Sequence, residues 1–307
     1  METYHLLPGL VGIQCTILQK ILVKFFVQSA LIKVMQNPKL PTTTSIGKMK
    51  ICIVTAVLFK LSRLIFRINQ RKVSYTIEVI TLSRLLAIGD IHGCYDKLVE
   101  LLNKVNYQPG KDQLVLLGDY IDRGPKSRET IDLVIELVNN GAIALKGNHE
   151  DMLINALDDV NSCELWLYNG GKKTLRSYHI SGGYGNIPWH EQPRRIPQKH
   201  LDFIRNLPIS HETDEYIFVH AGLPLYATKV EEAEHHDLMW VRDEWLTREY
   251  KGKVVVFGHT PTFTIQGHKK PEPWFGKNKI DIDTGAIYSK YGGKLTCLQL
   301  PTMVWQV

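Results

Sequence analysis

Six short segments of this chain each place oxygen or nitrogen donors at the end of an apolar run or a tight turn. They are Gly89-Asp90-Ile91-His92-Gly93, Gly118-Asp119-Tyr120-Ile121-Asp122-Arg123-Gly124, Gly147-Asn148-His149-Glu150, Val219-His220-Ala221-Gly222, Gly258-His259-Thr260 and Asp281-Ile282-Asp283-Thr284-Gly285. Carboxylate, amide and imidazole donors without thiolates suit Mn, with Fe or Zn as alternatives, and argue against an iron–sulfur centre. Asp90 and His92 converge if Ile91 points into the core, and Asp119 supplies a carboxylate able to bridge two cations. The expected allocation puts Asp90, His92 and Asp119 around one metal, and Asp119, Asn148, His220 and His259 around a second. Two cations about 3.5–4 Å apart lower the pKa of a shared water, aim it at phosphorus and neutralise phosphoryl oxygens. The pattern points to hydrolysis of phosphate esters.

Beside these donors, His149 is placed to protonate a leaving oxygen, with Asp122 fixing its tautomer from the other ring nitrogen. Arg123 offers a planar donor fork to phosphate oxygens, and Arg242 in Met239-Trp240-Val241-Arg242-Asp243 offers a second. Glycines 89, 93, 118, 124, 147, 222, 258 and 285 allow tight turns and close ligand approach. A lone Gly-Asp pair is an ordinary turn, and His149 taken alone would be structural; the combination carries the inference. His179, His190, His200, His211, His235, His236 and His268 lack the strand-end setting. Asp283 is expected to order the turn before Thr284-Gly285 through backbone hydrogen bonds. Tyr120 and Trp240 are expected to pack, and Lys172-Lys173 either to meet an acidic substrate or to sit on a solvated loop.

Rigid strand ends must hold such donors. The run 84–88 reads as a buried strand, followed by the first donor loop and an amphipathic helix from Tyr95 to Lys104. Residues 113–117 repeat the arrangement with a helix near Ser127 to Val138, and Ala142 to Leu145 repeat it again with a helix through Met152 to Ala156. Three such units predict an α/β body with a largely buried sheet. Later strands are expected at 216–219, 254–257, 279–282 and 295–300, forming a second sheet packed on the first. Residues 158–210 are expected to be a mainly helical insertion, its Gly170-Gly171, Gly182-Gly183 and prolines turning near the substrate opening.

Charge divides the chain. Residues 1–83 hold eleven basic side chains against Glu2 and Glu78, a net of +9; since the whole chain carries +6, residues 84–307 carry −3. That mildly acidic body excludes a nucleic-acid groove as its main surface. Five widely spaced cysteines, Cys15, Cys52, Cys94, Cys163 and Cys297, read as reduced thiols of a cytoplasmic protein. In the N-terminal extension, Leu6 to Gln19 and Ile51 to Phe59 both fall short of the roughly 18–20 apolar residues a spanning helix needs. Two readings of the extension stay open: a pair of basic, apolar helices lying peripherally on an anionic membrane, or a start site downstream that leaves much of it out of the working protein. The catalytic body is expected at 84–307.

From Leu85 to Pro301 these motifs resemble the phosphoprotein phosphatases among the calcineurin-like metallophosphoesterases, especially their compact bacterial and phage serine/threonine phosphatases. The resemblance implies a four-layer αββα sandwich and dinuclear, metal-dependent hydrolysis of phosphomonoesters without a phosphoenzyme. Carried over, it implies Asp90, His92, Asp119, Asn148, His220 and His259 as ligands, His149 with Asp122 as the acid pair, and Arg123 and Arg242 as phosphate binders. Gly93-Cys94-Tyr95 is similar to the diadenosine tetraphosphate hydrolases, but that branch usually lacks the aspartate at Asp122 and commonly has aspartate where this chain has Glu150. The substrates so implied are phosphoserine and phosphothreonine proteins, with tyrosine phosphate or small esters also accepted. The alternative is a symmetrical bis(5'-nucleosyl)-tetraphosphatase or related nucleotide hydrolase.

Overall fold

The first strand, β1 (Leu85–Ile88), shows how the layers are built: Leu86 and Ile88 turn to one face and Ala87 to the other, all buried. This alternation follows from the two-residue period of a strand, and here both faces meet protein. A computed structural model describes residues 84–180, 187–267 and 270–307, within one compact unit, Thr81–Val307. The expected N-terminal helices, Gly182-Gly183 and His268 lie outside the described residues. No helix among the described residues is long and apolar enough to cross a membrane.

After β1 come α1 (Tyr95–Lys104), β2 (Gln113–Leu116), α2 (Ser127–Asn139), β3 (Ile143–Ala144) and α3 (Asn148–Asn155). The helical insertion follows as α4 (Val160–Trp166), a π-helical turn at Leu167–Gly171, α5 (Lys172–Ser177) and α6 (Gln198–Arg205). The second half supplies β4 (Ser210–Glu212), β5 (Tyr216–Val219), α7 (His235–Trp240), α8 (Asp243–Thr247), β6 (Val254–Phe257), α9 (Thr262–Gln266), β7 (Trp274–Gly276), β8 (Lys279–Asp281), β9 (Cys297–Leu300) and β10 (Val304–Gln306).

Two five-stranded mixed sheets result, ordered β10-β9-β1-β2-β3 and β4-β5-β6-β8-β7. The central strands β1, β2 and β3 are parallel, as are β5, β6 and β8; antiparallel strands close the outer edges, except at β3. Ala87, Val115, Leu117, Phe218, Val256, Ile280 and Leu298 from both sheets form the layer between them. Leu86, Ile88, Leu114 and Leu116 pack outward on helices including α1, α2 and α4, whereas Ile217, Val219, Val255 and Phe257 pack outward on Leu238 and Trp245 of α7 and α8. The expected αββα sandwich is the fold observed.

The strand expected at 295–300 joins the first sheet and not the second: β9 pairs antiparallel with β1, Leu86 opposite Gln299, and so covers the edge of β1 that β2 leaves open. Two boundaries also differ from expectation for a physical reason. The third helix starts at Asn148 instead of Met152, because Gly147 acts as its N-cap and the Glu150 carboxylate accepts the Gly147 N–H at 3.0 Å. The third strand keeps only Ile143–Ala144, since β2 is its one partner and pairs with those two residues alone.

Candidate metal centre

Each donor segment leaves the C-terminal end of a parallel strand, β1, β2 or β3 in one sheet and β5, β6 or β8 in the other, and these loops converge. Ile91 is fully buried in the core, and Asp90 and His92 on either side of it are 2% and 3% exposed. These loops are strained: among the described residues other than glycine, His92, Asp119, Asp122, Arg123 and His259 all have positive φ, from 48° to 70°. Such backbone costs about 1–3 kcal/mol per residue and persists only where its surroundings over-determine it.

Glu150 is the side chain that fixes the Asp119 loop. Its Oε2 accepts the N–H groups of Asp119 (2.8 Å) and Gly147 (3.0 Å), and its Oε1 accepts those of Tyr120 (2.8 Å) and Ile121 (3.3 Å). Burial and the adjacent Asp119 carboxylate push Glu150 up to about 8, against the pull of His149 and the N–H donors. Glu150 reaches back to the Gly147 N–H as the third-position glutamate of a capping box does, but glycine at the cap leaves the sequence without that box's usual Ser or Thr mark.

Asp119 occupies the middle of the cluster. Its Oδ1 accepts the His149 N–H at 3.1 Å and lies 3.4 Å from His220 Nε2. Its Oδ2 lies 3.5 Å from His92 Nε2 and 3.9 Å from His149 Nε2. Burial alone would raise its pKa, but His220, His149, His92 and His259 together hold it below the ordinary carboxylate range. A side chain at Gly147 would run into the Asp119 carboxylate, so glycine is required there.

The imidazoles are oriented from behind. His92 Nδ1 donates to the Ile121 carbonyl at 3.0 Å and His220 Nδ1 to the Leu117 carbonyl at 2.9 Å, which turns each Nε2 inward. Asn148 Oδ1 lies 2.9 Å from His220 Nε2 and 3.0 Å from His259 Nδ1. Burial lowers the pKa of His92, His220 and His259, leaving them neutral and able to ligate.

Asp90 is tied to the turn that carries His259. Both of its oxygens accept the His259 N–H, at 3.1 and 3.2 Å, and burial followed by Asp283 and Asp119 raises its pKa. Two groups of side chains have ligand atoms close enough to share one cation: His92, Asp119 and His149, and Asp119, His220 and His259. Asp119 belongs to both groups, and His149 lies beside His92 in the first. The buried Nε2 atoms of His149 and His259 have no hydrogen-bond partner, so the donor set fits divalent cations.

The remaining expected residues also converge. His149 Nδ1 meets Asp122 Oδ2 at 2.7 Å, and although burial opposes charge on His149, Asp119 and Asp122 outweigh it and raise its pKa. Arg123 Nη1 donates to His92 Nε2 at 2.9 Å. Arg242 is exposed and donates to the His259 carbonyl (3.3 Å) and Thr260 Oγ1 (3.2 Å). Asp283 orders its turn as expected, accepting the Gly285 N–H at 2.9 Å. Asp281 accepts the Asp283 N–H through Oδ1, and its other oxygen has no partner. Trp240 is half-buried, its ring edge toward His259 at 6.2 Å, with His236 stacked on it at 5.7 Å. Cys163 and Cys297 are buried free thiols and Cys94 is a half-buried one. A cavity of about 1260 Å³ around Leu225, Arg248 and Tyr250 shares no residue with this cluster.

Comparison with known proteins places this geometry. A bis(5'-nucleosyl)-tetraphosphatase PrpE [asymmetrical] from Bacillus cereus (strain ATCC 10987 / NRS 248) is 33% identical over 244 residues, covering 70% of this chain and 90% of its own. The crystal structure of a candidate diadenosine tetraphosphatase covers 75% of this chain and 94% of its own, with a TM-score of 0.54 at 21% identity. A cold-active protein tyrosine phosphatase covers 71% and 74%, with a TM-score of 0.50 at 19% identity. These two structures share the fold. The family described as calcineurin-like phosphoesterase matches residues 83–293. With the two ligand groups joined at Asp119, the chain belongs to that family and is a metal-dependent phosphoesterase with a dinuclear site.

Proposed function

We propose that this protein hydrolyses dinucleoside polyphosphates, cutting a bis(5'-nucleosyl) tetraphosphate asymmetrically into a nucleoside triphosphate and a monophosphate. The observation that carries the substrate class is the 33% identity, over 90% of its length, to a protein named for that reaction. The expectation of phosphoserine and phosphothreonine proteins rested on Asp122 and Glu150. Both carboxylates are engaged within the protein, Glu150 on backbone N–H groups and Asp122 on His149, Trp166 and Thr174, so neither offers a free group to tell one substrate class from another. The named relative also favours asymmetrical cleavage over the symmetrical alternative. The His236–Trp240 stack beside His259 offers an aromatic face on which a base can lie.

Asp90, His92, Asp119, Asn148, His220 and His259 would hold two divalent cations, Mn2+ first among them. When bound, these cations supply an activated water and neutralise phosphoryl oxygens. Arg123 and Arg242 bind nonbridging oxygens of the phosphate under attack. His149 donates the proton at Nε2 to the leaving oxygen while Asp122 holds Nδ1.

The test compares diadenosine tetraphosphate with a phosphoserine peptide at matched Mn2+ loading, separating the nucleotide products by ion-exchange chromatography. ATP and AMP in equal amounts, with kcat/KM at least about tenfold above the peptide, are expected for a substrate whose remote groups add binding. ADP alone would overturn the asymmetrical assignment, and preference for the peptide would overturn the substrate class.

A further inference from the structure

The helical insertion between α3 and β4 reaches back into the site at one point, the carboxylate of Asp122. Trp166, the last residue of α4, points its indole Nε1–H at both Asp122 oxygens, at 2.9 and 3.1 Å. Thr174 of α5 donates its hydroxyl to Asp122 Oδ1 at 2.6 Å and accepts the Asp122 N–H at 2.9 Å. The Ser127 hydroxyl lies 3.0 Å from that of Thr174 and accepts the same N–H at 3.2 Å. Asp122, Trp166, Thr174 and Ser127 are all fully buried. With His149 Nδ1 at 2.7 Å, three donors converge on one carboxylate, and its place in the plane is fixed from three sides.

The π-helical turn joining the two helices acts on the next residue along. Gly170 has φ 123°, and a methyl there would stand 2.7 Å from Arg123 N and 2.9 Å from Arg123 Cγ. A methyl at Gly171 would enter the Trp166 ring. The turn therefore packs its bare backbone on Arg123 and on the indole at once, a close approach that only glycine permits.

We infer that the elbow formed by α4, the π turn and α5 is a positioning device for proton donation, in which Trp166 and Thr174 orient Asp122, and through it the His149 ring, while Gly170 seats Arg123. The inference rests on the reading of His149 as proton donor. A carboxylate held by its partners keeps the imidazole ring aligned with its free Nε2 toward the leaving oxygen, and a carboxylate free to rotate does not. Trp166 and Thr174 stand 44 and 52 residues from Asp122 in sequence, so this role becomes visible only once the insertion has folded onto the first sheet.

The experiment uses the full chain loaded with Mn2+ and two probes that differ in leaving group, phenyl phosphate and p-nitrophenyl phosphate. Nitrophenolate departs without a proton, whereas phenolate needs one. Thr174→Val removes the hydroxyl at nearly constant volume. It should lower kcat about tenfold on phenyl phosphate and less than about threefold on p-nitrophenyl phosphate, with Trp166→Phe moving the same way and Thr174→Ser restoring both rates. In the metal-free protein, the proton NMR signal of the His149 Nδ1–H should persist in the wild type and in Thr174→Ser, and shift or broaden in Thr174→Val. Equal losses on the two probes, or an unchanged ring signal in Thr174→Val, overturn the positioning role; so does failure of Thr174→Ser to recover. If Thr174→Val does not fold, Trp166→Phe and Thr174→Ser decide the matter by the same two readouts. His149→Ala serves as the reference: absence of a leaving-group split in that variant would remove the acid reading itself, which is a different failure from a split in His149→Ala with none in Thr174→Val.

Discussion

Replacing Glu150 by glutamine tests whether one buried carboxylate holds the strained loop that carries Asp119. Glutamine keeps the length and nearly the volume of the side chain but offers one acceptor oxygen where the native residue offers two. Each native oxygen serves two backbone N–H groups, Asp119 with Gly147 and Tyr120 with Ile121. Glu150→Gln therefore leaves two buried N–H groups facing an amide NH2. Each unsatisfied donor costs about 1–3 kcal/mol, so the loss is about 2–6 kcal/mol. For a domain of this size that lowers Tm by about 5–20 °C. The released loop includes Asp119 at φ 54°, and relaxation there should weaken Mn2+ binding as well as stability. Circular dichroism melts of the chelator-stripped protein at pH 9, where the Glu150 carboxylate is ionised, and titration calorimetry with Mn2+ at the same pH measure the two effects. A Tm within about 2 °C of the wild type, together with unchanged Mn2+ affinity, would refute the assignment of Glu150 as the loop's anchor.

Asp119→Asn should weaken loading of both metals by about 100-fold or more, because the carboxylate shared by the two ligand groups loses its charge; equilibrium dialysis with metal analysis returning two full equivalents at native affinity would remove Asp119 as the bridge. In the metal-free protein, Glu150 is raised by burial to about 8 and His149 is raised by Asp119 and Asp122 despite its burial, so the folded state holds both protons more tightly than the unfolded chain. Stability from these two groups is present below their unfolded pKa values and is lost as pH rises through the folded ones. Urea unfolding should therefore show a decline between pH 6.5 and 8, on the order of 1 kcal/mol per pH unit, and stability rising across that window would contradict it.

Much of the site was legible because its donors fall at strand ends, where a two-residue period stops and glycine begins. Asp90, His92, Asp119, Asn148, His149, His220 and His259 were each marked in this way, and the structure gathers all seven. The αββα layering was legible for the same reason: Leu86, Ala87 and Ile88 are apolar on both faces, which only a strand covered on both sides can use. Partner choice inside the cluster was not. Which donors touch depends on how far each loop bends, and the positive φ values of His92, Asp119 and His259 are set by tertiary contacts that no local pattern encodes. Trp166 and Thr174 were missed for a related reason. A tryptophan and a threonine in an insertion read as ordinary helix residues until Asp122 lies between them.

The crowding of acids at this site links folding to metal binding. Asp90, Asp281 and Asp283 are buried together, and burial raises all three, Asp283 to about 6. Asp119 moves the other way, because the imidazoles around it, protonated in the acid range where it would titrate, favour its charge. A cluster built to carry this charge is therefore least stable when empty, and ligands that bind only the folded state raise its stability by mass action. The same economy explains why the rigid parts lie behind the ligands and not among them. Carbonyls of Ile121 and Leu117 orient His92 and His220, Glu150 anchors the Asp119 loop, and Trp166 with Thr174 fixes Asp122. Each of these contacts is complete without a metal, so the backbone can stay folded around a centre whose own charges repel.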